Sequence, residues 1–342
     1  MLRQKSNDRK KYCCIEVVIF STAVIDKERL CEGIFFLYNK STDITMNRGG
    51  FPVNELAYID GAFIDLKEYA VQLEDRGYQM GDGVYEILRV YDGTCFAVKR
   101  HLDRYRRSMR ELSIPITDTD EELYHLFNEM IVKSGIKNGL LYFQLTRGTA
   151  PRRYPFPEPS LPHLNAILRD TPVRQDWQQS GIRADLTEDI RWLRCDIRTL
   201  NLLGNILAAN QARRAGAQAA LLYRKENNFI TEGLDQSFFL VKDGVLWTHP
   251  ADAFIRDGVT RSLIKEKIAP KLELTLVEKK FSPEFLLKAE EAFLAGTENE
   301  IIPVTAISHT PIGAGQPGPI TQEILTALHA LVKEGVDQDD EE

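Results

Sequence analysis

The sequence lacks three features, each of which would indicate a particular kind of protein. No apolar run reaches the roughly 20 residues that a membrane-spanning helix needs. The five cysteines form neither a Cys-x-x-Cys pair nor a cluster with histidine, so neither a zinc site nor a disulfide framework is predicted. The net charge of −7 argues against a nucleic-acid-binding protein, which needs a basic face. We therefore expect no metal, no nucleic-acid partner and no membrane partner.

The composition is that of a globular protein with room for two domains. The chain has 342 residues, of which 43% are hydrophobic and 27% charged. A polar, glutamine-rich stretch beyond residue 170 predicts a boundary, with an N-terminal α/β lobe over 51–173 and a larger C-terminal lobe over 174–335. The tail 336–342 is acidic and is predicted to be disordered. The cysteine pattern indicates a reducing cytoplasm.

Residues 1–50 differ in character from the rest of the chain. A basic start precedes a mostly apolar stretch from Cys13 to Ile25, as in a signal peptide, but Glu16 interrupts the stretch and no small-residue cleavage site follows. Two explanations stay open. One is an added N-terminal extension, and the other is a start codon placed too early, with Met46 as the true start. No function is inferred from this part.

Turn and periodicity signals predict alternating strands and helices. Three Asp-Gly pairs between apolar runs predict tight hairpins, because both central residues of a type I′ turn need a positive φ angle. These pairs are Asp60-Gly61, Asp92-Gly93 and Asp243-Gly244. Apolar residues at helical spacing and cap signals predict helices over 101–113, 118–134, 201–215, 260–269 and 321–334. Further strands are predicted over 140–146 and 218–223, and the whole pattern favours a mixed α/β fold.

A series of segments gives the sequence its strongest resemblance. In chain order they are EDRGYQMGDGVYE (74–86), HLDR (101–104), FQLTRGTAPRRYPFPE (143–158), WLRCDIRTLNLL (192–203), TEG (231–233), DGVTRS (257–262) and AGTENE (295–300). In order and spacing they resemble D-amino-acid transaminases, which are fold-type-IV enzymes dependent on pyridoxal 5′-phosphate (PLP). The resemblance implies an α/β (α+β) fold of two domains with the cofactor cleft between them.

Arg198 departs from this family at the residue on which the chemistry depends. The segment WLRCDIRTLNLL is similar to the one that carries the cofactor-bearing lysine, and Arg198 stands where that lysine is expected. A primary amine can form an imine with the aldehyde of PLP and can then move a proton. A guanidinium stays charged at any working pH and is both a poor nucleophile and a poor base. The sequence therefore predicts a cofactor site without its catalytic amine.

The resemblance also implies which residues hold the cofactor. Arg104, the hydroxyls of Thr260 and Thr297, and the backbone amides of Val259 and Thr260 would bind the phosphate, and Glu232 would pair with the pyridine nitrogen. Without the resemblance, the spacing around Arg104 is more typical of a surface arginine in a basic run. The spacing around Thr260 and Thr297 is more typical of helix caps. A carboxylate at the pyridine nitrogen keeps the ring protonated, so that the ring can accept electrons from the substrate.

Tyr85, Arg152 and Tyr154 resemble the family's trap for the substrate carboxylate. By the same analogy, Arg152 and Tyr154 would reach across from the second subunit of a homodimer. Many family members have histidine where this chain has Tyr154, which donates a hydrogen bond but carries no positive charge. A second departure follows TEG, where a serine-rich run in the family is replaced by Leu234 to Ser237, and Asp235 would bring a negative charge near the phosphate.

Three functions follow as hypotheses. The first is a PLP-dependent D-amino-acid transaminase by descent, converting D-alanine and 2-oxoglutarate to pyruvate and D-glutamate, but weak or inactive because of Arg198. The second is a non-catalytic protein that binds PLP or another anion in the same cleft. The third is a related activity, branched-chain transamination or aminodeoxychorismate lyase. In each case the partner is a small molecule, such as an amino or keto acid.

Overall fold

A computed structural model describes residues 55–67 and 70–335, and these residues form two β-sheets with helices packed against them. The predicted extension over 1–50 and the predicted acidic tail over 336–342 lie outside the described residues. In the described part, no helix is long and apolar enough to cross a membrane. The same residues contain no group of three His, Cys, Asp or Glu side chains placed to hold a metal ion.

The first sheet has six strands in the order β2-β1-β6-β5-β3-β4, and all its paired neighbours are antiparallel. Its strands are β1 (Leu56–Ile59), β2 (Ala62–Ile64), β3 (Gly83–Tyr91), β4 (Thr94–Cys95), β5 (Gly139–Thr146) and β6 (His163–Asp170). Three helices belong to this part of the chain, namely α1 (Arg76–Met80), α2 (Val98–Glu111) and α3 (Asp120–Ser134). Apolar side chains of α2 and α3 pack on one face of the sheet and form its core.

The second sheet has nine strands and mixed pairing, in the order β12-β11-β10-β13-β14-β7-β8-β9, with β15 paired to β14. Its strands are β7 (Ile182–Glu188), β8 (Ala219–Arg224), β9 (Phe229–Ile230), β10 (Ser237–Lys242), β11 (Val245–Thr248), β12 (Leu276–Glu278), β13 (Glu291–Gly296), β14 (Glu300–Ile307) and β15 (Thr310–Pro311). Apolar clusters cover both faces of this sheet, as expected for buried strands rich in Phe, Leu, Ile and Val.

Helices flank the second sheet along its length. They are α4 (Gln175–Ser180), α5 (Leu203–Arg214), α6 (Val259–Leu263), α7 (Ala269–Lys271), α8 (Pro283–Leu286) and α9 (Pro319–Glu334). A π-helical turn, Ile264–Ile268, joins α6 to α7, so the predicted helix over 260–269 is one helical run over 259–271. The other predicted helices differ from the observed ones by no more than a few residues at each end.

All three predicted hairpins are present, and their backbone angles explain the Asp-Gly pairs. The φ angles are 44° and 94° at Asp60 and Gly61, 47° and 84° at Asp92 and Gly93, and 52° and 71° at Asp243 and Gly244. Both central residues of each turn thus adopt positive φ, as a type I′ turn requires. The strands predicted over 140–146 and 218–223 are β5 and β8.

The segment that carries Arg198 is held against the first sheet by its backbone. The amide of Tyr85 donates to the Arg198 carbonyl at 3.1 Å, and the amide of Leu200 donates to the Gly83 carbonyl at 3.0 Å. The amide of Arg198 donates to Ser108 Oγ at 3.2 Å. Position 198 is therefore fixed between β3 and α2, beside strands and turns of the second sheet. The domain boundary placed between 173 and 174 stays a prediction.

Candidate active site

The residues predicted to bind phosphate come together from three separate elements. Thr260 lies in the first turn of α6, Thr297 follows β13, and Arg104 reaches in from α2, and all three line one cavity. Val259, at the start of α6, also lines it. The first amides of a helix have no intrahelical acceptor, so those of Val259 and Thr260 are suited to an anion.

Two glycines allow the loops around this end of the cavity to approach closely. A Cβ atom on Gly258 would lie 2.9 Å from Ser237 Oγ. One on Gly296 would lie 2.8 Å from Gln236 Cγ. A side chain at either position would therefore push a loop that carries one of the two threonines away from Gln236 or Ser237.

A buried carboxylate, Glu86, organises the cationic side of the cavity. Its oxygens accept hydrogen bonds of 2.8 Å from both Nε and Nη2 of Arg104, and Oε2 lies 3.0 Å from His101 Nδ1. Burial alone would raise the pKa of Glu86, but the charges of Arg104 and Arg198 and the hydrogen bonds outweigh it and hold that pKa well below its usual value. Burial also lowers the pKa of His101. We refer to Glu86, His101, Arg104 and Arg198 as the Glu86 cluster.

Arg198 is the least satisfied member of that cluster. Its side chain is 6% exposed, and its Cζ lies 4.3 Å from the centre of the Tyr85 ring. Its Nε lies 3.6 Å from Glu86 Oε2, which is too far for a hydrogen bond, and this buried nitrogen has no hydrogen-bond partner. Within the described part of the chain, no hydrogen bond satisfies the guanidinium of Arg198.

A second buried ion cluster holds Glu232 at the opposite wall. Glu232 Oε1 accepts a 2.7 Å hydrogen bond from Arg191 Nη1, and Oε2 accepts one of 3.3 Å from the amide of Arg256. Arg191 also donates to both oxygens of Asp189 at 2.9 Å. Burial lowers the pKa of Arg191, but the charges of Glu232 and Asp189 outweigh it and raise that pKa above its usual value. We refer to Asp189, Arg191 and Glu232 as the Glu232 cluster.

The predicted substrate residues do not all meet within one chain. Tyr85 is buried on β3 beside Arg198, and its hydroxyl lies 3.5 Å from Arg256 Nη1. Arg152 and Tyr154 lie on the loop between β5 and β6, where both are exposed, Tyr154 to 84%. The predicted contribution of that loop to a second subunit's site stays a prediction.

Two carboxylates also line the cavity. Asp235 is exposed, and Glu298 is half-buried. Burial and the charge of Asp235 raise the pKa of Glu298. Among the described residues, the ion-pair partner of Arg198 is Glu86. Asp235 thus stays at the exposed edge of the cavity.

Arg198 lies between two small spaces. The cavity shared with Thr260, Thr297 and Glu232 has a volume of about 20 Å³, room for about one water molecule. A second, of about 30 Å³, is lined by Arg198 together with Tyr85. A ligand the size of a pyridine ring therefore needs side chains to move, and no side-chain hydrogen bond of Arg198 opposes such a movement. A larger open groove of about 640 Å³ lies on the other side of Arg104.

Sequence reasoning missed two residues that shape the site. Glu86 lies within the segment EDRGYQMGDGVYE but received no role, although a charged residue inside the mostly apolar strand β3 is a signal that it has a buried partner. Arg191 gave no such signal. Glu232, expected at the end of a strand, lies two residues beyond β9, although the amide of Leu222 still donates to its carbonyl. Cys195 is buried and its pKa is raised to about 11 by burial, so it is inert, as expected of a packed cysteine.

Comparison with known proteins places the chain in one family. The model of the class IV amino-transferase family matches residues 83–307. D-alanine aminotransferase from Staphylococcus epidermidis is 40% identical over 277 residues, covering 81% of this chain and 97% of that protein. D-alanine aminotransferase from Staphylococcus haemolyticus is 41% identical over the same length, with the same coverage.

Solved structures agree with that assignment. The branched-chain amino acid aminotransferase of Escherichia coli superimposes with a TM-score of 0.78 at 25% identity, covering 83% of this chain and 97% of that one. The fold is therefore that of a class IV aminotransferase, as the resemblance implied. The chain belongs to the class IV aminotransferase family.

Proposed function

We propose that this chain is a D-amino-acid transaminase by descent whose turnover is very slow or absent. The observation that carries the proposal is the position of Arg198, which lines the same cavity as Thr260, Thr297 and Glu232. Among the described residues, the cavity wall includes three arginines and no lysine. A guanidinium at this point keeps its proton and its charge, so it cannot exchange a proton with a substrate.

The residues present fit PLP at two of its three points of attachment. Arg104, Thr260, Thr297 and the amide of Val259 would hold the phosphate, where the close approach of the glycine loops shapes a cradle. Glu232, oriented by its hydrogen bond from Arg191, would face the pyridine nitrogen. The third point, an amine for the aldehyde, is not supplied by Arg198. When bound, PLP supplies an electron sink for the substrate.

The protein's own residues would also orient an amino or keto acid. Tyr85 presents a hydroxyl beside Arg256, and this pair is suited to a carboxylate. Arg152 and Tyr154 are exposed in one chain, so they would serve a neighbouring site. Their contribution requires a homodimer, which we include in the proposal.

An apolar surface supports that homodimer. Leu203, Ile206 and Leu207 are exposed at helical spacing on one face of α5. Leu193 is also exposed, and Arg191, two residues before it, approaches this helix so closely that a Cβ on Gly204 would lie 3.0 Å from Arg191 Cγ. Exposed apolar patches of this kind mark interfaces. Light scattering coupled to size exclusion is expected to give twice the chain mass.

Replacing Arg198 with lysine tests the proposal. We expect Arg198→Lys to raise the rate of pyruvate formation from D-alanine and 2-oxoglutarate by at least about 100-fold, because a positioned proton carrier contributes on that scale. Borohydride reduction should then fix the cofactor to position 198 in the variant and to no side chain in the parent protein. Arg198→Met, which supplies no amine, is the matched control and should stay inactive.

The proposal fails if the parent protein matches the rate of Arg198→Lys, or if borohydride attaches cofactor to a lysine of the parent protein. Arg198→Lys could form a borohydride-stable adduct and still be inactive. That result would assign the inactivity to the second departure from the family, the replacement of its serine-rich run by Leu234 to Ser237. Adding Asp235→Ser, which removes the negative charge at the cavity edge, then separates the two causes.

A non-catalytic role is the second candidate, and the incomplete pairing of Arg198 favours it. A protein of this kind would retain PLP or another anion and release it on dialysis. Branched-chain transamination and aminodeoxychorismate lyase activity are less favoured, because identity to the D-alanine aminotransferases reaches 41% and identity to the Escherichia coli branched-chain structure is 25%. A panel of D- and L-amino acids offered to Arg198→Lys distinguishes the stereochemical classes.

A further inference from the structure

We propose that Arg198 is a ligand-binding residue that selects phosphorylated molecules carrying a carbonyl or carboxylate oxygen over those carrying an amine in the same place. The inference rests on the proposed function, because it takes the Thr260 and Thr297 end of the cavity as the phosphate site. What is added is the chemical class of the group that the ligand presents to Arg198.

The first support is the unused hydrogen-bonding capacity of Arg198. A guanidinium carries five N–H donors, and Nε of this one is buried with no partner. The carboxylate nearest to it, on Glu86, already accepts two hydrogen bonds from Arg104 and lies against His101. Buried donors are satisfied in nearly all proteins, so a donor left free at the wall of a cavity points to an acceptor that arrives with the ligand.

The second support is the charge balance of the buried groups around the cavity. Arginines outnumber carboxylates in the connected ion pairs, since five arginines meet three carboxylates. The arginines are Arg104, Arg191, Arg198, Arg224 and Arg256, and the carboxylates are Glu86, Asp189 and Glu232. Asp235 and Glu298 also line the cavity, so the excess is local to Glu86, where Arg104 and Arg198 share one carboxylate. Uncompensated buried charge is costly, so this local excess favours an anionic ligand beside Arg198.

The third support is the place of Arg198 along the cavity. It shares one cavity with Thr260 and Thr297, and it also borders the space beside Tyr85. A small molecule that sets its phosphate at the threonines therefore presents its other substituents to Arg198. An oxygen there gains a charge-assisted hydrogen bond, whereas an ammonium meets a like charge.

Asp235 and Glu298 disfavour an anionic ligand, whereas Arg198 favours one, so they provide a control. Both line the same cavity, and negative charge there weakens the binding of any phosphate. Asp235 is exposed and is not the ion-pair partner of Arg198. Neutralising it should therefore change the affinity for all phosphorylated ligands alike and leave the selectivity unchanged.

Equilibrium binding to the full chain tests the inference with four probes. They are 4-pyridoxic acid 5′-phosphate, pyridoxal 5′-phosphate, pyridoxamine 5′-phosphate and inorganic phosphate. The first is the cleanest, because its carboxylate cannot react with surface lysines. We expect it to bind the parent protein at least about tenfold more tightly than the amine, the effect of one charge-assisted hydrogen bond. Arg198→Met should abolish that ratio, and it should weaken the binding of inorganic phosphate less than it weakens the binding of the acid.

Each outcome decides one of the two proposals. If pyridoxamine 5′-phosphate binds the parent protein as tightly as the acid, or if Arg198→Met keeps the ratio, the inference is overturned and the proposed phosphate site stands. If no phosphorylated probe binds, the proposed function itself fails at its phosphate end. Asp235→Asn should tighten all phosphorylated probes together, and a changed ratio in that variant would assign the selectivity to Asp235 instead. Arg198→Gln gives a second measurement should the methionine variant not fold.

Discussion

Two buried ion clusters border the same cavity, and they differ in how completely their hydrogen bonds are satisfied. In the Glu232 cluster, Arg191 spans two carboxylates at 2.7 to 2.9 Å, and Asp189 accepts a further hydrogen bond from Thr231 at 3.0 Å. In the Glu86 cluster, Arg104 takes up both oxygens of Glu86, and the guanidinium of Arg198 is left beside them without a hydrogen bond.

The difference separates groups that maintain the fold from a group that is available for binding. A fully paired buried cluster contributes orientation, because moving any member leaves another charge uncompensated. An arginine whose N–H donors have no partner at a cavity wall contributes little to the stability of the fold. Its donors are available to bind an anion. The Glu232 cluster is thus a fixed support, and Arg198 is the variable part of the same site.

Removing Arg191 is expected to have the largest effect on stability. Arg191→Met leaves Glu232 and Asp189 buried without their main partner, and breaking a buried pair in this way typically costs about 3–5 kcal/mol. The free energy of unfolding from urea titration measures the loss. Arg174→Met is the matched control, since the pair of Arg174 with Asp176 is largely exposed and should contribute little.

A loss near zero for Arg191→Met would show that the Glu232 cluster is not the fixed support that its hydrogen bonds suggest. A comparable loss in the control would show that the method responds to any arginine removed, and the comparison between clusters would then lose its basis.

Much of the fold could be predicted from the sequence because its signals are local. An Asp-Gly pair reports a backbone conformation that few residues accept, and all three pairs form the expected turns. Helical periodicity reports burial, and α2, α3 and α9 bury the apolar faces expected of them. The pairing order of the nine-stranded sheet has no such local signal, since it depends on contacts between distant segments.

The site was partly predictable for a different reason. Arg104, Thr260, Thr297 and Glu232 were named from motif positions, and the structure brings all four to one cavity. The surroundings of Arg198 were not predictable, because Glu86 lies 112 positions earlier in the chain and the sequence contains several other carboxylates that could have met it. Which of them does so is decided by the packing of β3 against the segment 198–200.

Acidification should lower the free energy of unfolding through the Glu86 cluster. The pKa of Glu86 is depressed in the folded state, so its contribution to stability is present above the unfolded pKa of about 4.5 and is lost as the pH falls further. The pKa of His101 is also lowered, so protonation in the unfolded state removes stability below about pH 6.5. The parent protein should lose stability on acidification from both groups.

Arg198→Met should weaken that dependence, because Arg198 lowers the pKa of both Glu86 and His101. Between about pH 7 and about pH 3, the difference in unfolding free energy should move in favour of the variant. Denaturant titrations at several pH values measure it. A parallel decline in both proteins would place the acid sensitivity outside the Glu86 cluster.

The smallest expected effect is that of Arg198→Met on stability at neutral pH. The variant loses the contact of a guanidinium with the Tyr85 ring, which contributes about 0.5–2 kcal/mol, and it gains by removing a buried charge that has no hydrogen bond. Glu86 keeps both hydrogen bonds from Arg104 when Arg198 is removed, so no buried carboxylate is left without a partner. The unfolding free energy should therefore change by less than about 1 kcal/mol. A loss as large as that of Arg191→Met would show that Arg198 is a structural residue like Arg191, and the distinction between the two clusters would no longer hold.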